Sequence, residues 1–429
     1  MTIVFIVLFA FMLLGVPVAF AIMSAGVAYL HMTHGSLLVV AQRLVYGLNS
    51  FTLLAVPLFI LVGNLMDSGG ISKRLTDWAK SLLGWLPGGL GVVTVFSCAI
   101  FAALTGSGPA TVAAIGSIML PSMLKAGYSR ETSAGLVASA GALGPIIPPS
   151  IPMIIYGVTM NLSIPAMFIG GIVPGLVIAI VLSGVNIFFA YRNPEVLVHS
   201  KDLKFDLMES LRLFWKALGA LGLPVLILGG IYGGIFTPTE SAAVGIVYAL
   251  VLGFALGELK VKDLPKVLIS SLKTSTMVNF IIAAASLFSW VVSKSQVGVA
   301  IANGFINLVG GSRNMYLLIL VLVLLVVGCL MDNVAATLIL APILIPVGIQ
   351  LGCNELHLGL LFSICLVVGF VTPPFGYNLF TAISISGLNF KQIVKGAAPF
   401  LIAEILLLFV FAYVPAISIW LPRLVGFSY

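Results

Sequence analysis

Moved along itself by 225 residues, this chain sets its helix breakers on top of one another without a gap. Pro121 falls on Pro346, Pro148-Pro149 on Pro373-Pro374 and Pro174 on Pro399; Gly127 falls on Gly352, Gly144 on Gly369 and Gly171 on Gly396. Of the five prolines between 330 and 402, four land on prolines of the first copy. Identity elsewhere in the two stretches is poor, and prolines and glycines report backbone geometry rather than surface. The chain therefore reads as two copies of one structural unit, residues 1–191 and 217–429, joined by 192–216.

Charge says what surrounds the two copies. Only 8% of residues are charged and 61% are hydrophobic, against about 25% charged in an ordinary soluble domain. So few charges cannot cover a water-facing surface, so the surroundings are lipid. The net charge of +7 is spread over many loops and forms no nucleic-acid patch. Met1-Thr2-Ile3 lacks the basic start of a secretory signal, so the first apolar run is expected to stay in the membrane. Cys98, Cys329, Cys353 and Cys365 have no paired spacing and read as small buried side chains. His31 and His34 lack a third ligand for zinc. With no nucleotide, flavin, haem or hydrolase signature, the sequence argues against an intramembrane enzyme and against an ATP-driven pump.

Each copy predicts the same series of elements. The first has apolar segments at 3–16, 18–35 and 52–67, amphipathic pieces at 36–50 and 71–86, and short legs at 89–104 and 110–124. A long segment at 131–160, broken between Gly141 and Pro152, and a last span at 164–191 complete it. The second has spans at 217–236, 240–257 and 275–292, amphipathic pieces at 259–274 and 297–310, and legs at 315–330 and 335–351. Its broken segment is 356–386 and its last span 397–421. Residues 192–216 interleave charged and apolar side chains, the pattern of an interfacial amphipathic helix.

A membrane span needs about 20 residues, so 89–124 and 315–351 read as re-entrant hairpins. Each copy then crosses five times, an odd number, so the copies are inverted within an all-α polytopic fold. On that topology Arg43, Lys294, Arg313 and Arg423 share the side of the N-terminus, and the other sixteen of the 20 lysines and arginines lie opposite. The positive-inside rule makes the basic side cytoplasmic and puts both termini outside.

Inverted repeats with hairpins and broken helices point to a secondary transporter. A helix broken within the membrane frees carbonyls and N–H groups that lipid cannot satisfy, so they must line a site. Carbonyls suit a hard cation such as sodium, and helix N-termini suit a carboxylate. The first hairpin tip, Thr105-Gly106-Ser107-Gly108-Pro109-Ala110-Thr111, is dense in small and hydroxyl residues, which suits either a tight turn or a site. Its partner break runs from Gly141 to Ser150, with Gly144, Ile147 and Pro148 offering carbonyls and Ser150 a hydroxyl. The second tip is Gly328-Cys329-Leu330-Met331-Asp332-Asn333, and its break runs from Gly369 through Thr372 and Phe375 to Asn378. Asp332, aligned with Ser107, suits a cation, a proton, a substrate contact or a helix cap. Thr237-Pro238-Thr239-Glu240 has the form of a structural capping box. Asp67 and Glu404, lone acids in or near spans, are expected to form interhelical hydrogen bonds.

Several of these runs carry a family resemblance. Gly15-Val16-Pro17-Val18-Ala19-Phe20, Pro57-Leu58-Phe59-Ile60-Leu61, the Gly106-Ser107-Gly108 tip, Thr237-Pro238-Thr239-Glu240 and Thr372-Pro373-Pro374 resemble the large membrane subunit of a tripartite ATP-independent periplasmic (TRAP) transporter. The resemblance covers essentially the whole chain. It implies sodium-driven import of an organic acid across a bacterial inner membrane, and a periplasmic substrate-binding protein that delivers it. It also implies a scaffold with a moving transport domain that holds the hairpins. The whole sequence looks most similar to the sialic-acid branch. Some members fuse a small four-helix membrane subunit at the N-terminus, which this chain lacks, so a separate small subunit is expected. The alternatives are a stand-alone sodium- or proton-coupled dicarboxylate carrier and a non-transporting scaffold.

The expected sites follow the doubled pattern. One sodium is expected among Thr105, Ser107, Gly144, Ile147, Pro148 and Ser150, and a second among Gly328, Asp332, Gly369, Thr372 and Phe375. The organic acid is expected between the tips, near Ser107, Thr111, Asp332 and Asn333. Hairpins and broken helices should move together, as an elevator, because separating them would expose backbone groups to lipid.

Overall fold

In lipid every backbone polar group needs a partner within the protein, and helices provide one locally. The computed structural model describes residues 2–202, 205–295, 304–307 and 310–427, and contains no strand among them. α1 (Thr2–Leu13) and α2 (Val18–Met32) pack on each other across a turn at Gly15, whose φ of +78° favours glycine. α3 (Leu38–Leu48) meets the segment Thr52–Ser68, which contains α4 (Ala55–Ser68), at 70°. α5 (Ile71–Leu83) is amphipathic, burying Ile71, Leu75 and Ala79 along one stripe.

The first hairpin is α6 (Gly89–Thr105) and α7 (Gly108–Lys125), and the first broken helix is α8 (Arg130–Ala140) and α9 (Ile151–Met160). α10 (Ile164–Tyr191) and α11 (Pro194–Asp202) lead to α12 (Leu207–Tyr232), α13 (Pro238–Ala255) and α14 (Leu264–Lys294). The second hairpin is α15 (Arg313–Leu330) and α16 (Asn333–Gln350). The second broken helix is α17 (Glu355–Gly369) and α18 (Tyr377–Ser386), followed by α19 (Phe390–Tyr413) and α20 (Ala416–Leu424).

The repeat holds to the residue where it matters. α7 and α16 start at Gly108 and Asn333, and α8 and α17 at Arg130 and Glu355, 225 residues apart in both cases. The equivalent bonds Pro148–Pro149 and Pro373–Pro374 are both cis. The expected capping box forms at α13: Thr237 N–H donates to Glu240 Oε2 at 2.8 Å, and Glu240 N–H donates to Thr237 Oγ1 at 3.3 Å.

The structure departs from the sequence expectations in four places. Residues 192–216 are not one amphipathic helix. Asp206 caps a new helix by accepting from Met208 N–H (2.8 Å) and Glu209 N–H (3.2 Å), so 207–216 form the first turns of α12. The amphipathic piece 259–274 and the span 275–292 are continuous in α14, because no proline or glycine occurs from Lys266 to Lys294. In the first copy the equivalent helix is interrupted at Asn49, whose φ and ψ of −82° and 65° are not helical. The last span starts earlier than expected, at Phe390, where Asn389 and Gln392 form a capping box, and it ends at Tyr413, two residues before Pro415. Finally, both legs of the second hairpin have 18 residues, long enough to cross. Its hairpin character rests on the abrupt tip at Met331–Asp332 rather than on short legs. Most of 297–310 lies outside the described residues.

Among the described residues seven helices are long and apolar enough to span a membrane, and the bent pair α3–α4 makes an eighth. α1 and α2, at 12 and 15 residues, are shorter than the spans expected there. All four cysteines are free and buried.

Packing separates two groups of helices. α13 packs on α4 and α12, and α14 on α2, α3 and α4. In the other group the repeats interlock: α8 against α19, α7 against α18, and α9 against α16. At the α8–α19 crossing a Cβ on Gly135 would collide with the Gly396 backbone, and a Cβ on Gly396 with the Glu131 carbonyl. Overpacking of this kind costs about 1–3 kcal/mol. Gly135→Leu should therefore lower the thermal unfolding midpoint in detergent. Gly184→Leu, where an added Cβ meets nothing within 4 Å, should leave it close to wild type.

Candidate functional site

Each hairpin tip lies against its own broken helix, and glycines permit the contact. Thr105 ends α6, Gly106 turns the chain with φ +60°, and Ser107 in extended conformation precedes α7. A Cβ on Gly144 would sit 2.6 Å from the Ser107 carbonyl oxygen, and one on Gly106 would sit 2.7 Å from the Pro149 carbonyl oxygen. In the second copy a Cβ on Gly369 would sit 2.6 Å from Gly328 Cα, and one on Gly328 would sit 2.6 Å from the Leu366 carbonyl oxygen. In the first copy irregular backbone meets irregular backbone, whereas in the second the last turns of two helices meet just before the tip and the break.

Side-chain hydrogen bonds then fix each tip and each break internally. Thr111 Oγ1 donates to the Ser107 carbonyl (2.8 Å) and lies 3.2 Å from Thr105 Oγ1. Ser150 Oγ donates to the Pro145 carbonyl across the break and accepts from Met153 N–H at 3.3 Å, capping α9. Asp332 caps α16 by accepting from Val334 N–H at 2.8 Å. Thr372 Oγ1 donates to the Val368 carbonyl at 3.0 Å, and Asn378 N–H closes the second break onto the Phe370 carbonyl at 3.1 Å.

Both junctions open onto one cavity of about 370 Å³. Its wall includes Thr105 to Ala110 from the first tip, Asp332 to Val334 from the second, and Pro145, Ile151 and Pro152 from the first broken helix. Phe370 and Tyr377 come from the second broken helix, with rings in an edge-to-face pair at 5.3 Å. The remaining wall belongs to the other helix group: Ile60, Gly63 and Asn64 of α4, and Thr274, Met277 and Val278 of α14. There Asn64 Nδ2 donates to Ser271 Oγ at 2.8 Å, and a Cβ on Gly63 would sit 3.1 Å from Thr105 Cα.

The N-termini of α7, α9, α16 and α18 all reach this wall. Each helix N-terminus carries roughly half a positive charge and unpaired N–H groups. Among the described residues no lysine or arginine lines the cavity, and Asp332 is the one carboxylate on its wall. Such an arrangement can attract an anion through backbone and offers it neutral hydrogen-bonding groups.

Of the residues expected at the substrate, Ser107, Asp332 and Asn333 lie on the wall, whereas Thr111 is fully buried behind the tip. Thr105, Gly144, Pro148 and Ser150 gather at the first junction, while the Ile147 side chain points away, toward Gly175 of α10. Gly328 and Gly369 form the second junction, and Thr372 stands just beyond it. Phe375, 53% exposed, stands off the cavity. Asn64 and Thr274 are not expected at the site from the sequence, and Tyr377 and Asn378 are expected only as the end of the second break, with no role. Their signal in the sequence is polarity within apolar runs, without any indication of what they approach. Asp67 does bond to a neighbouring helix, accepting from Ser72 Oγ at 3.0 Å, but neither carboxylate oxygen of the buried Glu404 has a hydrogen-bond partner.

Asp332 both caps a helix and carries a charge, and these roles separate. Asn caps helices about as well as Asp. Asp332→Asn should keep the thermal midpoint within a few degrees of wild type and abolish transport. Normal transport by that variant would reduce Asp332 to a cap.

Residues 5–417 match the family model described as tripartite ATP-independent periplasmic transporter, DctM component. The chain is 41% identical to the C4-dicarboxylate TRAP transporter large permease protein DctM of Pseudomonas aeruginosa, over 88% of each chain. It is 33% identical to the sialic acid TRAP transporter large permease protein SiaM of Vibrio cholerae, over 96% of this chain and 95% of that one. The solved structure of Neisseria gonorrhoeae MtrF, an antimetabolite efflux pump, matches with a TM-score of 0.53 at 16% identity, covering 87% of this chain and 84% of that one, and so shares the fold. The expected similarity to the sialic-acid branch thus narrows to the family as a whole, and the stand-alone carrier and the scaffold give way to it. With its doubled hairpins and broken helices, the chain belongs to the DctM component family as the large permease subunit of a TRAP transporter.

Proposed function

We propose that this subunit imports an organic acid, sialic acid in the first reading, together with sodium. The observation that carries the reading is the convergence of four helix N-termini on a cavity without a basic side chain. An anion is attracted there by helix ends. Asn64, Ser107, Thr274, Asn333 and Tyr377 supply neutral hydrogen-bonding groups, and Asp332 an acceptor. That set suits an acid rich in hydroxyls. A C4-dicarboxylate is the second reading, favoured by the higher identity to the Pseudomonas aeruginosa relative.

Two sodium ions are assigned to the tip–break junctions. The first would lie among Thr105, Ser107, Gly144, Ile147, Pro148 and Ser150, and the second among Gly328, Asp332, Gly369, Thr372 and Phe375. Backbone and hydroxyl oxygens at such junctions suit a hard cation. Each inward sodium contributes about 2.3 kcal/mol per 100 mV of membrane potential. The subunit works in a bacterial inner membrane, with both termini on the periplasmic side. A periplasmic binding protein delivers the substrate, and a separate small four-helix membrane subunit completes the transporter. The helix group that holds the junctions moves past α4, α12, α13 and α14 as an elevator. Support comes from the tight glycine contacts within each junction, which keep hairpin and broken helix together.

Proteoliposomes that hold the subunit with both partners test this. Labelled sialic acid should enter under an inward sodium gradient and not under a potassium gradient. Uptake of a C4-dicarboxylate instead would select the second reading, and uptake indifferent to sodium would remove the coupling. Cysteine pairs between α4 and α6 should trap two states at offsets of several residues; cross-linking at a single register only would refute the elevator.

A further inference from the structure

Asn378 stands where the two repeats meet, and the family reading given above does not use it. It lies in the first turn of α18, in the second copy, and is completely buried. Its Nδ2 donates to the Ala138 carbonyl at 3.0 Å, near the end of α8 in the first copy. That bond fixes the amide and leaves Oδ1 buried without a partner among the described residues. An unpaired buried amide oxygen is costly, and native proteins seldom leave one without a reason.

The unpaired oxygen faces the first junction. A Cβ on Gly108 would lie 2.7 Å from Asn378 Oδ1 and 3.3 Å from the Gly141 carbonyl oxygen. Gly108 and Gly141 belong to the tip and the break of the first copy, and the Ser107 carbonyl is adjacent. In the repeat register Gly108 corresponds to Asn333. The first tip therefore has bare backbone where the second has an asparagine, and the bared space holds an asparagine from the other repeat.

We infer that Asn378 Oδ1 is an oxygen ligand of the first sodium site, so that this site is assembled from both repeats. The inference rests on the sodium reading proposed above and adds a side-chain ligand to it. It has a mechanical consequence. The backbone N–H of Asn378 closes the second break onto the Phe370 carbonyl. A sodium ion held by its side chain at the first junction therefore also holds the second break in shape. Occupancy of one site favours the geometry of the other, a coupling through a shared residue.

The test is thermal unfolding of the purified full chain in detergent, titrated with sodium chloride or potassium chloride. Wild type should be stabilised by sodium alone. Asn378→Ala should raise the half-saturating sodium concentration by about tenfold or more. Asn378→Asp keeps an oxygen and loses the N–H donor, so it should remain within about threefold of wild type. Gly108→Ala places a methyl group against the same oxygen and should behave like Asn378→Ala, which keeps the test open if one variant folds poorly. Suppose that the bond to Ala138 is all that matters. Then Ala and Asp should both lower the starting midpoint and leave sodium half-saturation at its wild-type value, and the inference fails. If wild type itself does not respond to sodium, the sodium reading falls and takes this inference with it.

Discussion

Everything in this molecule depends on what is done with backbone that cannot be helical inside a membrane. A hairpin tip and a broken helix both expose N–H and carbonyl groups, and lipid offers them no partner. The chain solves this twice by pressing a tip against a break. The contacts Ser107–Gly144 and Gly328–Gly369 are so close that a single methyl group on either glycine would not fit. Each junction then needs few side-chain bonds: a threonine and a serine in the first, an aspartate cap and a threonine in the second. The polar groups left over face the one cavity that both junctions share.

The cost of this arrangement is met by interlocking. α8 crosses α19 at Gly135 and Gly396, α7 lies on α18, and α9 lies on α16, so each repeat covers faces of the other. Neither tip–break pair stands as an independent unit. The remaining helices, α12 and α13 with α4 and α14, pack on one another, and among the described residues it is α4 and α14 that reach the cavity.

Function follows from the same constraint. Breaking helices near one another brings their N-termini together, and four of them meet at the cavity wall. Helix N-termini gathered in this way can attract an anion, and among the described residues no lysine or arginine stands at the wall.

The sequence by itself determined the solvent, the repeat and the positions of the breaks. Proline and glycine act on local backbone, so Pro148-Pro149, Pro373-Pro374, Gly106 and Gly144 could be read in place, and α7, α8, α16 and α17 start in the register those residues set. Capping boxes are local too, and Thr237 with Glu240 formed as read. The continuity of α14 and the start of α12 are not marked by the change from amphipathic to apolar character, because only a breaker or a cap such as Asp206 divides a helix. Tertiary structure alone decided that Asn378 reaches Ala138 and Gly108, that Thr111 lies behind its tip, and that α4 and α14 complete the wall. The contacts of Asn378 and of the cavity wall join residues tens to hundreds of positions apart. Local chemistry fixes where a helix stops, but only packing fixes what stands opposite its end.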